Sequence, residues 1–147
     1  MNYLDTSALI KRFVSERGSE AVHALMSRGD PVATAKIGYA EVHAGFARKR
    51  RERRLSESDY ALACLQFERD WAATIRVDLR DDILFLVRDL IRRHPLRGFD
   101  AVHLASAVFL GRQLGEEVTF FAADARLLRA AAREGLGAVN AEEKAST

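Results

Sequence analysis

Short runs of β-branched and aromatic residues recur along this chain, and most are followed by a longer stretch with helical spacing. That alternation constrains the fold more than any single motif, because parallel strands need a long, usually helical, crossover between them. Asn2-Tyr3-Leu4 reads as a strand feeding a helix that Asp5, Thr6 or Ser7 can cap and that runs to about Ser15. A helix over Ser19–Met26, a strand over Pro31–Thr34 and a long helix over Lys36–Arg53 come next. Leu55-Ser56-Glu57-Ser58 marks another helix start, with Leu62, Leu65 and Trp71 as its expected buried stripe. Thr74–Val77 is a strand, and Asp81–Arg93 a helix stopped by His94-Pro95. A very apolar helix over Asp100–Leu110, a strand over Glu117–Phe121, a helix opened by Asp124 and a strand within Gly135–Val139 complete the series. The expectation is an α/β fold: a central parallel sheet of four to five strands covered by helices on both faces. One domain over 1–140 with a polar tail over 141–147 suits a chain of 147 residues.

Several functional classes drop out early. Cys64 is the sole cysteine, which excludes an internal disulfide framework and a cysteine-built zinc cluster. The longest apolar runs, such as Ile83–Val87, fall far below the ~20 residues of a membrane helix. No basic segment leads into an apolar stretch at the N-terminus, so no signal peptide is visible and the cytoplasm is the expected location. No glycine-rich phosphate loop is present. The net charge is only +2, yet 19 of the 23 basic residues are arginine, and six basic residues crowd into positions 48–54. Arginine binds phosphate in a bidentate manner and stacks on bases, so Arg48, Lys49 and Arg51 are candidate RNA contacts; a solvated helix end is the plain alternative.

Four acids stand where such a fold builds its site, since open α/β sheets bind ligands beyond the carboxyl ends of their strands. Asp5 follows the first strand, Asp124 ends the fourth, and Asp100 opens an otherwise apolar helix. Glu41 lies inside a helix with small neighbours, Gly38, Ala44 and Gly45, that let a ligand come close. Each alone reads as a cap or a solvated charge. Gathered together they would repel one another unless protonated or neutralised, and oxygen donors suit a hard ion, Mg²⁺ or Mn²⁺. A haloacid-dehalogenase-type phosphatase would want an aspartate at position 7, which is Ser7, and a receiver domain would want an acid where Leu4 stands.

Four segments in series resemble the motifs of the PIN-domain family: Asn2-Tyr3-Leu4-Asp5-Thr6-Ser7-Ala8-Leu9, Ala40-Glu41-Val42, Gly98-Phe99-Asp100-Ala101-Val102-His103-Leu104-Ala105 and Phe120-Phe121-Ala122-Ala123-Asp124-Ala125-Arg126-Leu127. Order, spacing and length are most similar to VapC-type toxins of toxin–antitoxin pairs. The chain departs at Ala122, where many relatives carry Thr or Ser. The resemblance implies a three-layer α/β/α sandwich and a Mg²⁺- or Mn²⁺-dependent endoribonuclease. Asp5, Glu41, Asp100 and Asp124 would be its catalytic acids and metal ligands, and Thr6 and Ser7 would support them from behind. Water would attack phosphorus in line, leaving a 5′-phosphate and a 3′-hydroxyl. The same resemblance implies an RNA substrate, a homodimer and a cognate VapB-type antitoxin. A non-catalytic RNA- or protein-binding module is the alternative.

Three other features take structural readings. His103, three residues after Asp100, is expected to be packed or hydrogen-bonded rather than a ligand. Asp78, Asp81 and Asp82 suit a helix start, and Cys64 suits a small core position.

Overall fold

Five short strands pair in parallel at the centre of the computed structural model, which describes residues 1–143. In chain order the elements are β1 (Asn2–Leu4), α1 (Thr6–Ile10), α2 (Ser19–Met26), β2 (Val32–Ala35), α3 (Gly38–Arg51), α4 (Glu57–Ala73) and β3 (Ile75–Val77). They continue as α5 (Asp81–Arg93), α6 (Gly98–Leu114), β4 (Thr119–Ala122), α7 (Ala125–Arg133) and β5 (Gly137–Asn140). The strands lie in the order β3-β2-β1-β4-β5, with Tyr3 opposite Ala33 on one side and Phe120 on the other.

This order reverses direction at β1. Successive strands first move outward through β2 and β3, then cross to the other edge of β1 and continue through β4 and β5. Right-handed crossovers therefore put α1–α4 on one face and α5–α7 on the other. The two cores agree: Leu4, Val22, Val42, Phe46 and Phe67 pack on the first face, and Tyr3, Ile83, Leu90, Leu104, Phe120 and Leu127 on the second. Alternation along β1 explains the split, since Tyr3 and Leu4 point to opposite sides of the sheet. The crevice at the reversal opens between the carboxyl ends of β1 and β4, the place such sheets offer a ligand.

Three expectations needed revision. The first helix ends at Ile10 rather than near Ser15, because Lys11, Arg12 and Phe13 bond back to Ala8, Leu9 and Ile10 in tighter three-residue steps. That tightening turns the chain so that Val14 enters the core and the Lys11 ammonium meets Glu16 at 3.1 Å. The apolar helix is longer than the run over Asp100–Leu110: α6 begins at Gly98 and ends on Gly115, whose φ of +63° provides the left-handed exit. On α4 the buried residues are Ala63 and Phe67, while Leu62 and Leu65 are 51% and 59% exposed. Spacing alone could not tell the two faces apart. Phe67 selects the face, since its ring fits among Phe13, Tyr39, Phe46 and Trp71. At the other end of the chain Ala141 is buried and Glu142 pairs with Lys11 at 3.2 Å, while residues 144–147 of the expected tail lie outside the described residues.

Candidate active site

All four singled-out acids line one open cleft of about 1280 Å³ at the sheet reversal. That exceeds the ~300–1,000 Å³ usual for small molecules and suits a polymer. Asp5 caps α1 at the end of β1, and Asp124 caps α7 just after β4. Parallel pairing brings them together: Leu4 is opposite Phe121, and the Asp5 N–H donates to the Phe121 carbonyl at 3.0 Å. Glu41 arrives from the first turn of α3 and Asp100 from the first turn of α6.

Three of the acids share one arrangement: one oxygen is tethered, and the other accepts no hydrogen bond among the described residues. Asp5 Oδ1 accepts from the Ala8 N–H at 3.0 Å and from the Ser7 hydroxyl at 2.7 Å. Asp124 Oδ1 accepts from the N–H groups of Arg126 and Leu127 at 2.8 and 3.0 Å. Glu41 Oε1 accepts from the Thr6 hydroxyl and from His103 Nε2, both at 2.7 Å. Helix capping thus does the holding at Asp5 and Asp124, and side chains do it at Glu41. Asp100 is the exception, with Arg97 Nε 3.8 Å from its Oδ2. Ser7 also accepts from the Ala123 N–H at 3.0 Å, so one hydroxyl ties the loop after β4 to Asp5. Ala122 is fully buried in the second core.

The acids sense one another. Burial pushes the Asp5 carboxyl above its ordinary range, and Asp100 adds to the rise, against the hydrogen bonds from Ser7 and Ala8. Burial likewise pushes Asp100 up, with Asp124 and Glu41 adding to it. Glu41 moves the other way: burial opposes its ionised form, but the His103 hydrogen bond and the Thr6 hydroxyl outweigh that and hold it below the usual range. Among the described residues no three His, Cys, Asp or Glu side chains already stand close enough to hold a metal ion as they are.

Basic residues line the rim. Arg48 and Arg51 face the cleft from α3, and Arg97 faces it from the start of α6. Lys49 is a correction to the expected RNA contacts: it is buried, and its ammonium is bound by Glu16 at 2.7 Å. Helical spacing turns it about 100° from Arg48, onto the core face. Sequence reading did not single out Arg97, Phe99 or Tyr3. Phe99 stands 63% exposed on the cleft wall beside Asp100, and no signal in the sequence separates it from the other aromatic residues. His103 is 2% exposed and hydrogen-bonded, as its packed reading anticipates.

The PIN domain family model matches residues 3–133. The chain is 40% identical over 109 residues to Ribonuclease VapC49 of Mycobacterium tuberculosis, covering 74% of this chain and 76% of that protein. It is 33% identical over 137 residues to Ribonuclease VapC46 of the same organism, covering 93% and 95%. Its fold resembles a toxin–antitoxin complex from Klebsiella pneumoniae with a TM-score of 0.54, at 20% identity over 84% of this chain and 87% of that one.

Proposed function

Because the chain belongs to the PIN-domain family and groups there with VapC ribonucleases, we propose that it is a metal-dependent endoribonuclease, the toxin of a toxin–antitoxin pair. The observation that carries this reading is the convergence of Asp5, Glu41, Asp100 and Asp124 at the sheet reversal. A pure binding module has no use for acids that raise one another's pKa, and a nuclease does.

The donor set fits a hard divalent ion. It is all carboxylate oxygen, and Asp5, Glu41 and Asp124 each keep an oxygen free of hydrogen bonds among the described residues. Those three with Asp100 are the residues that would hold Mg²⁺ or Mn²⁺, which when bound supplies an activated water and charge neutralisation at phosphate. The protein's own part is orientation. Ser7 and the Ala8 N–H fix the Asp5 carboxylate, the first turn of α7 fixes Asp124, and Thr6 with His103 fixes Glu41. Arg48, Arg51 and Arg97 grip backbone phosphates on either side, where bidentate contacts set register without reading sequence. Exposed Phe99 offers an unpaired base a stacking surface, which favours single-stranded RNA.

The protein partners this reading carries are a second copy of the chain and a VapB-type antitoxin. Apolar side chains at Leu62, Leu65 and Phe85 stand exposed and give such contacts surface to cover. No helix among the described residues is long and apolar enough to cross a membrane, and we place the protein in the cytoplasm with its RNA.

The test is cleavage of total RNA and a defined tRNA panel by purified protein, in Mg²⁺, Mn²⁺ and EDTA arms, with Asp5→Asn beside the parent. Cleavage that needs metal and vanishes in the variant is expected. Asn still accepts the Ala8 and Ser7 hydrogen bonds, so the variant stays folded. Equal cleavage by variant and parent overturns the site, and binding without cleavage in every arm supports the binding-module alternative.

A further inference from the structure

We propose that Tyr3 and His103 form a positioning relay that decides which oxygen of Glu41 is held back and which is presented to the cleft. The inference rests on the nuclease reading for its consequence, though its geometry stands by itself.

The relay begins in the middle of the sheet. Tyr3 is fully buried on β1, its ring stacked on Phe120 with centroids 5.3 Å apart. A phenol there must find a partner for its hydroxyl. That hydroxyl meets His103 Nδ1 at 2.9 Å, and the other ring nitrogen, Nε2, meets Glu41 Oε1 at 2.7 Å. An ionised carboxylate only accepts, so Nε2 carries the proton; Tyr3 keeps its own proton and donates to Nδ1. The network therefore assigns His103 the Nε2–H tautomer. Its proton is shared with the Thr6 hydroxyl oxygen at 3.2 Å, and that hydroxyl donates to Oε1 as well.

Two donors from two helices thus converge on one oxygen of a side chain with three rotatable bonds. Oε1 is occupied, and Oε2 accepts no hydrogen bond among the described residues. The relay also joins the elements that bear the acids. Tyr3 shares its strand with the approach to Asp5, His103 lies one turn after Asp100, and Glu41 comes from α3. A phenylalanine and a leucine would fill the same volume with no polar atom to satisfy. What the polar pair adds is a defined orientation at the cleft. Tyr3 touches no cleft surface, so it is a positioning residue, and His103 acts through Glu41 in the same sense.

Two substitutions at one position separate this role from mere core filling. His103→Gln places an amide near the old Nε2 and keeps a donor for Glu41; His103→Asn places one near the old Nδ1 and keeps only the Tyr3 side. The expected result is a loss of about 10–100-fold in kcat for the Asn variant, with KM for RNA little changed, and a parallel drop in Mn²⁺ affinity measured by EPR without RNA. The Gln variant retains most of both. Tyr3→Phe lowers kcat in the same direction, and ¹⁵N spectra of the ring show the Nε2–H tautomer in the parent and, in Tyr3→Phe, an Nδ1 that has lost its hydrogen bond. Equal behaviour of the Gln and Asn variants, or an Nδ1–H tautomer in the parent, overturns the relay. The ring spectra need no cleavage, so they decide the matter if His103→Asn fails to fold. Retained cleavage by Asp5→Asn and Asp100→Asn would instead overturn the acidic site, and no cleavage by the parent in any metal arm would sink the nuclease reading; either leaves the tautomer result to judge the relay.

Discussion

Replacing Ser7 with alanine tests how the cleft is held together. The Ser7 hydroxyl donates to Asp5 Oδ1 at 2.7 Å and accepts from the Ala123 N–H at 3.0 Å, so one atom links the end of β1 to the loop after β4. Alanine removes a charge-assisted hydrogen bond, usually about 1.5–3 kcal/mol, and strands a backbone donor, about 1–3 kcal/mol. Ser7 and Ala123 are half-buried and Asp5 keeps its Ala8 N–H, so the lower ends apply and the two do not add in full. The expectation is a loss of about 2 kcal/mol, or about 4–8 °C in Tm for a chain of this size. The loss also depends on pH. The Ser7 bond works against the rise of the Asp5 pKa, so alanine lets that pKa climb further. A carboxyl whose folded pKa lies above its unfolded value weakens the fold as pH rises between the two. The deficit should therefore be smaller at pH 4 than at pH 7.5, measured by thermal melts in EDTA so that no ion intervenes. A deficit below about 0.5 kcal/mol, or one larger at pH 4, would refute the reasoning.

The same linkage makes the Asp100 carboxylate a burden on the fold. Asp100→Asn should gain stability over the parent as pH rises from about 4 to 8, because burial and Asp124 raise the native carboxyl; a constant difference in metal-free melts would contradict this. Gly18→Ala should cost about 2–4 kcal/mol in urea unfolding, since φ is +91° and the new Cβ would lie 2.0 Å from the Ala141 carbonyl oxygen. A silent substitution would mean that the segment at Ala141 does not pack as described. Arg48→Ala and Arg51→Ala should each flatten the salt dependence of single-stranded RNA binding by about 0.7 in log–log slope per lost phosphate contact. Lys49→Met should leave that slope alone and lower stability by up to about 3 kcal/mol, because it strips a partner from Glu16. Identical slopes for all three would remove the distinction between rim and core.

Much of this was legible because the signals were local. Strand, cap and helix coincide at Asn2–Ser7 and again at Phe120–Leu127, so Asp5 and Asp124 could be placed at strand ends without coordinates. Helix bounds were legible where charge or proline punctuates them, as at Asp81–Arg93. What stayed hidden depends on the third dimension. Leu62 and Leu65 satisfy helical spacing as well as Ala63 and Phe67 do, and only the aromatic cluster around Phe67 chooses between the two faces. Lys49 looked like one member of a basic run until Glu16, across a turn from another helix, claimed its ammonium. Tyr3 and His103 stand 100 positions apart, and nothing in either neighbourhood announces that they share a hydrogen bond.

The place of β1 in the sheet has a consequence for how the protein comes into being. The central strand, β1, leaves the ribosome long before its second neighbour, β4, which begins only at Thr119. A nascent chain that has reached α6 already carries Asp5, Glu41 and Asp100, but the edge of β1 that must receive β4 is still bare. Pairing across so wide a sequence gap comes late in folding, since the loop must close before the contact repays it. Assembly of the cleft therefore waits on translation through β4 and Asp124. A polypeptide released early, from a broken transcript or a stalled ribosome, holds three of the acids and no crevice to use them in.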